Sequence, residues 1–134
     1  MAKAKKVKQL SFMMPDRVGL LSEISAALGA AKVNIGAICA YGMQNEATFM
    51  LTADSMAKAK KALMKLGVAG LKEEDVFTVE MSNKPGELQK VAKKLADAGI
   101  NILYMYGTTT AGRSATGVFA TSDDAQAIKL INKK

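Results

Sequence analysis

Two short turns carry the residues with the most chemistry to offer. Asp16-Arg17-Val18-Gly19-Leu20 and Asn83-Lys84-Pro85-Gly86-Glu87-Leu88 each follow an apolar run and open a stretch with helical spacing. The free N–H groups of a first helical turn and the positive end of the helix dipole gather at such a corner. That setting suits an anion, the carboxylate of an amino acid included. Gly19 and Gly86 let a ligand or a neighbouring backbone approach closely, and Asp16 or Asn83 can accept a hydrogen bond from an ammonium group. A second use is open at both positions, because either residue can cap the helix that follows. Asn34-Ile35 and Asn101-Ile102 form another matched pair, each after a helix and before an apolar strand. A plain turn role is equally natural there.

Other chemistries lack their residues. The 134-residue chain contains no histidine, which removes Ser-His-Asp and Cys-His catalytic pairs and histidine metal ligands. One cysteine, Cys39, makes neither an internal disulfide nor a thiolate zinc site within one chain, and it reads as a small buried residue. Glu73, Glu74 and Asp75 are consecutive on an extended segment, so they alternate between faces instead of converging. The segment from Gly107 to Ser114 lacks the Gly-Lys-Ser/Thr ending of a phosphate-binding loop and reads as a hairpin tip. No cofactor is implied. The composition, 49% hydrophobic and 23% charged, is globular. Neither a 20-residue apolar span nor a signal-peptide core is present, so a cytoplasmic protein that does not enter the membrane is expected. The net charge of +7 is concentrated at the ends, in Lys3, Lys5, Lys6 and Lys8 and in Lys129, Lys133 and Lys134. Solvation and contact with a polyanion are the two readings of those lysines.

The elements that position the turns occur twice. Met14, Gly19, Leu21, Leu28, Ala31, Asn34 and Ile35 recur as Met81, Gly86, Leu88, Leu95, Ala98, Asn101 and Ile102, an offset of 67 throughout. It becomes 68 where Ala57 and Ala59 match Ala125 and Ala127, which places one extra residue in the second hairpin. In the first copy Lys8–Met14 reads as a strand and Gly19–Ala31 as a helix with Leu20, Leu21, Ile24 and Leu28 on one side. Two strands follow across a Gly42–Asn45 turn. A helix from Met56 to Leu66 is then framed by Ser55 and Gly67. Leu71 to Met81 reads as one nearly continuous extended segment leading into the second copy, and the order is βαββαβ. The boundaries expected are a basic N-terminal tail over 1–7, a first module over 8–75 and a second over 76–134. The counterpart of Leu71 would lie beyond Lys134, so the second module lacks its last strand. A free edge on Val76–Met81 is therefore expected, and a second copy pairing with it would form a homodimer.

The run from Asp16 to Leu21, followed by Ile24, Leu28 and Val33-Asn34-Ile35, resembles the ACT domain signature. The run from Asn83 to Leu88, ending in Gly99-Ile100-Asn101-Ile102, resembles it more closely. The likeness covers nearly the whole chain from Lys8. It implies an α+β fold of two ferredoxin-like modules in tandem with antiparallel sheets, and effector sites at interfaces between modules. It also implies that the polar residue of the first turn and the Asn opening the second strand hold the effector: Asp16 with Asn34, and Asn83 with Asn101. The turn residues Arg17, Val18, Gly19, Leu20, Lys84, Pro85, Gly86, Glu87 and Leu88, with Ile35 and Ile102, complete the candidate site. Val18 and Asp16 depart from the Pro and Asn usual in the family, and an anionic Asp16 would repel a ligand carboxylate, which gives the second module more weight. The expected function is regulatory binding of a free amino acid, with a partner enzyme or regulator sensing it. The alternative is a basic ferredoxin-like nucleic-acid-binding module. It is disfavoured because Ser11-Phe12-Met13 and Thr48-Phe49-Met50 lack the aromatic pattern on which RNA-recognition modules stack bases.

Overall fold

Alternating apolar residues and stripes at helical spacing produce six strands and four helices among the residues that the computed structural model describes, 2–109 and 112–133. In order they are β1 (Lys3–Pro15), α1 (Leu20–Ala30), β2 (Ile35–Met43), β3 (Glu46–Ala53), α2 (Met56–Leu66), β4 (Ala69–Ser82), α3 (Glu87–Asp97), β5 (Ile102–Thr109), β6 (Ser114–Thr121) and α4 (Asp124–Asn132). Ser55 caps α2 by accepting from the Lys58 N–H at 3.3 Å, and Gly67 closes it at φ 74°. Asp123 caps α4 in the same way, accepting from the Gln126 N–H at 3.1 Å. Gln44 and Asn45, at φ 50° and 67°, make the two-residue link of the first hairpin. The second hairpin is longer. Its Ala111, expected in the turn, lies outside the described residues. Glu46 and Ser114, which open β3 and β6, are 68 positions apart, as the slip in the repeat requires.

The chain divides into two units. The first is Lys8–Glu74; the second joins residues 75–133 to residues 2–7. In the first unit the strand order is β2-β3-β1-β4, with β1/β3 and β2/β3 antiparallel. Leu10, Phe12, Met14, Phe49 and Leu51 face Leu20, Ile24 and Leu28 of α1 and Ala59 and Leu63 of α2. In the second unit the order is β1-β4-β6-β5, and Phe77, Val79, Met81 and Phe119 meet Val91 and Leu95 of α3 and Ala127 and Ile131 of α4. Each unit thus has the ferredoxin-like order, and no strand follows α4 among the described residues.

The place of the second unit's fourth strand is filled from the other end of the sequence, which corrects two expectations. Residues 3–7 form the start of β1 and not a basic tail, and β4 carries β1 as a neighbour where a free edge was expected. Ala4 is buried in the second core, while Lys3, Lys5 and Lys6 point to solvent. Asn132 at the end of α4 holds the strand by its backbone: Oδ1 accepts from the Ala4 N–H at 2.7 Å, and Nδ2 donates to the Ala4 carbonyl at 2.9 Å. Lys6 also lies 3.7 Å from Asp75. Lysines along a short outer strand blunt it against further pairing, so the sequence argument for a dimer through that edge falls away.

Candidate functional site

Neither Asp16 nor Asn83 caps its helix. The N-cap positions belong to Gly19 at φ 85° and Gly86 at φ 86°, and no side chain bonds to either helix start. A Cβ at either glycine would meet nothing within 4 Å. The demand there is conformational, a left-handed backbone that other residues adopt at a cost. The Leu20 N–H donates to the Arg17 carbonyl and the Glu87 N–H to the Lys84 carbonyl, each at 3.3 Å. Among the described residues no acceptor takes the next two N–H groups in either helix, those of Leu21 and Ser22 or of Leu88 and Gln89.

The two corners then diverge. In the first unit the Asp16 N–H donates to the Asn45 carbonyl at 2.9 Å. The Asp16 carboxylate lies over Gly42, where an added Cβ would sit 2.6 Å from Oδ2. Arg17 pairs with Glu23, and Val18 is fully exposed. In the second unit the Asn83 N–H donates to the Arg113 carbonyl at 2.8 Å, and Asn83 Nδ2 donates to the Gly112 carbonyl at 3.2 Å. Glu87 Oε2 accepts from Lys90 at 2.8 Å. That bond, with the positive charges of Lys90 and Lys84 adding to it, holds the Glu87 carboxyl below its ordinary pKa. The carboxylate is therefore charged at neutral pH. A cavity of about 360 Å³ opens beside it, lined by Met81, Asn83, Lys84, Glu87, Leu88, Met105, Gly107, Ala115 and Gly117 among others. That volume is at the small end of the range for ligand sites.

Asn34 and Asn101 sit elsewhere. The Asn34 N–H donates to Asp54 Oδ1 at 2.9 Å and the Asp54 N–H to the Asn34 carbonyl at 3.0 Å; Asn101 and Ser122 repeat the exchange at 3.0 and 2.9 Å. Both residues are exposed, and their side-chain amides hydrogen-bond to no described residue. Asn83 adjoins the Ser114 end of β6 and Asn101 the Thr121 end. The eight residues of that strand separate them by about 23 Å. Asp16 and Asn34 are parted likewise along β3. Within one unit the two halves of the expected site are not brought together, and Ile35 and Ile102 go with the asparagine ends. Among the described residues no cluster of three metal-ligating side chains occurs, and no helix is long and apolar enough to cross a membrane.

Comparison with known proteins decides the family. The model of the ACT domain pair matches residues 5–134. This chain belongs to the ACT domain pair family. Among solved structures it is similar to protein BT0572 from Bacteroides thetaiotaomicron, at 28% identity over 97% of this chain and 89% of that one, with a TM-score of 0.88. It shares its fold with the regulatory subunit of aspartate kinase from Thermus thermophilus in a ligand-free form (15% identity, 98% and 95% covered, TM-score 0.68). The same holds for the aspartokinase alpha and beta subunits (19% identity, 98% and 95% covered, TM-score 0.66). No curated protein matches significantly. ACT domains are regulatory, small-molecule-binding modules and not catalytic ones.

What separates the two ACT modules inside is the position of one aromatic pair. In the first, Phe12 stacks on Phe49 with ring centroids 5.0 Å apart. In the second the stacked pair is Phe77 and Phe119, at 5.5 Å. By the repeat, Phe12 and Phe49 correspond to Val79 and Gly117, so the second pair lies two residues farther from the glycine corner. In its former place Gly107 faces Gly117 across β5 and β6. A Cβ on Gly117 would lie 2.8 Å from Phe119 Cε1 and 3.5 Å from Met105 Cε. The ring edge and the thioether methyl lean over the gap, and the cavity is what remains. Neither Met105 nor the facing of the glycine pair is signalled in the sequence. Met105 shares the Phe119 face, while Tyr104 and Tyr106 lie opposite Ala120 and Val118 on the other. Cys39 is half-buried instead of lying in the core.

Proposed function

We propose that the second ACT module binds a free amino acid at the Asn83–Leu88 corner and that this binding regulates a partner enzyme or regulator. The observation that carries the reading is the cavity at that corner, where opposite charges and unused backbone donors meet. The Lys84 ammonium and the Leu88 N–H, both of residues lining the cavity, suit a carboxylate, with the Gln89 N–H one residue on. Glu87 has one oxygen on Lys90 and a second, Oε1, that no described residue engages; it suits an ammonium group. Asn83 borders the site. In the first module Arg17 is spent on Glu23 and the Asp16 carboxylate fills the space over Gly42, an arrangement less suited to a zwitterion.

Asn101 has no place in that pocket, being too far along β6 for one amino acid to touch both. A ligand that contacts Asn83 and Asn101 together takes them from different chains, which is the form in which a homodimer with shared sites remains the working picture. Binding then shifts the population of one assembly over another by as much as it favours that assembly. A cytoplasmic setting fits the single unpaired cysteine.

Thermal unfolding of the purified protein against the common amino acids tests the reading. An amino acid at about 100 times its dissociation constant should add about 2.7 kcal/mol of stability. Lys84→Ala together with Glu87→Gln should abolish that gain while lowering the ligand-free melting temperature only modestly, since Lys84 is exposed and the partly buried Glu87 gives up one ion pair with Lys90. No stabilisation by any amino acid, or a gain untouched by the double substitution, would reject the site.

A further inference from the structure

We infer that the ligand of the second module carries an apolar side chain, and that the displaced phenylalanine pair is what selects it. This deepens the proposed amino-acid site and rests on that reading. The charged groups are confined to the mouth, where Lys84 and Glu87 stand at the start of α3. Below them the lining is largely apolar, with Met81 on β4, Leu88 on α3, Met105 on β5 and Ala115 on β6 around the facing glycines Gly107 and Gly117, and the hydroxyl residues Ser82, Thr108, Thr109 and Thr116 at its borders. Leu88 is 48% exposed and Met105 36%, so two large apolar side chains border the cavity with part of their surface still in water. A ligand that covers them gains from its own buried area and from theirs.

Among the described residues a charged ligand side chain has no charged counterpart on that floor, where the Thr109 hydroxyl already donates to the Ser114 carbonyl at 3.4 Å. The ligand's polar end would lie mainly against the Met81 and Met105 thioethers and Leu88, and would lose more water than the few bordering hydroxyls replace. The depth of the slot follows from register. Along β6 the residues facing the helices run Ala115, Gly117, Phe119, and along β5 they run Thr109, Gly107, Met105, small toward the corner and large away from it. The first module has Phe49 where the second has Gly117, so an apolar side chain there would meet the Phe12–Phe49 stack. One chain thus contains a filled and an opened version of the same corner.

Isothermal titration of the full chain with leucine, isoleucine, valine, methionine and phenylalanine, against aspartate, glutamate, lysine, asparagine and glutamine, reads the selection. At least one apolar amino acid should bind about tenfold tighter than every polar one. Ala115→Leu, which fills the slot, should weaken that ligand about tenfold or more. Should Ala115→Leu fail to fold, Leu88→Asn at a half-exposed position gives the same comparison, with a loss of about tenfold confined to apolar ligands. A polar amino acid binding tightest would overturn the inference and leave the proposed site standing, whereas apolar binding that ignores both substitutions would put the ligand elsewhere and overturn both. No amino acid binding the unmodified chain would remove the site and the inference together.

Discussion

Glu87 shows how much a single residue does at this corner. It opens α3, where a negative charge complements the helix dipole, and Lys90 one turn on holds it by a hydrogen bond. Its carboxyl therefore titrates below the ordinary range. A carboxyl lowered on folding stabilises the fold above the unfolded-state pKa, and that contribution is lost as pH falls through the folded value. Replacing Lys90 with Gln removes the largest cause, so the Glu87 pKa should rise toward its ordinary value in a carboxylate NMR titration. An unmoved value would mean that Lys84 and the helix start, not Lys90, set it. The sequence named Glu87 as a corner residue, since Gly86-Glu87 at the start of a helical pattern is a local signal. It gave no sign of the glycine pair below. Gly107 and Gly117 matter because they face one another, and strand register is a non-local fact that no spacing within either strand records.

At the scale of elements, the N-terminal strand is the part of the fold least legible beforehand. Ala2-Lys3-Ala4-Lys5-Lys6 has two small apolar residues among lysines and reads as a solvated tail. An outer strand looks the same, because only its inward residues need be apolar and its lysines prevent further pairing. Besides its ladder to β4, the strand is held by Asn132, 128 positions away, whose amide takes both backbone groups of Ala4. By contrast, Ser55 and Gly67 framed α2 from the sequence because capping and a left-handed stop are local chemistry. Asn132→Ala would leave a partly buried N–H and carbonyl unpaired, at a cost of about 1–3 kcal/mol in urea unfolding. Deleting residues 1–7 should cost more than Asn132→Ala, since the ladder to β4 goes as well. A truncated chain as stable as the full one would show that the strand is dispensable.

For the molecule as a whole, the course of two strands matters most. β1 gives residues 3–7 to one ACT module and 8–15 to the other, and β4 divides the same way after Glu74. No linker intervenes at either crossing, so a module that unfolds must fray a strand its neighbour still uses. Unfolding should therefore be one cooperative transition, with circular dichroism and hydrogen exchange of both modules reporting the same free energy. The same continuity gives a ligand at the Asn83 corner a way to act beyond its own module. If opening is shared, an amino acid bound there should slow exchange in α1 and α2 by nearly the factor seen in α3, although it touches neither. Protection confined to residues 2–7, 75–109 and 112–133 would mean that the modules open independently. Regulation would then have to pass through a surface of the second module alone.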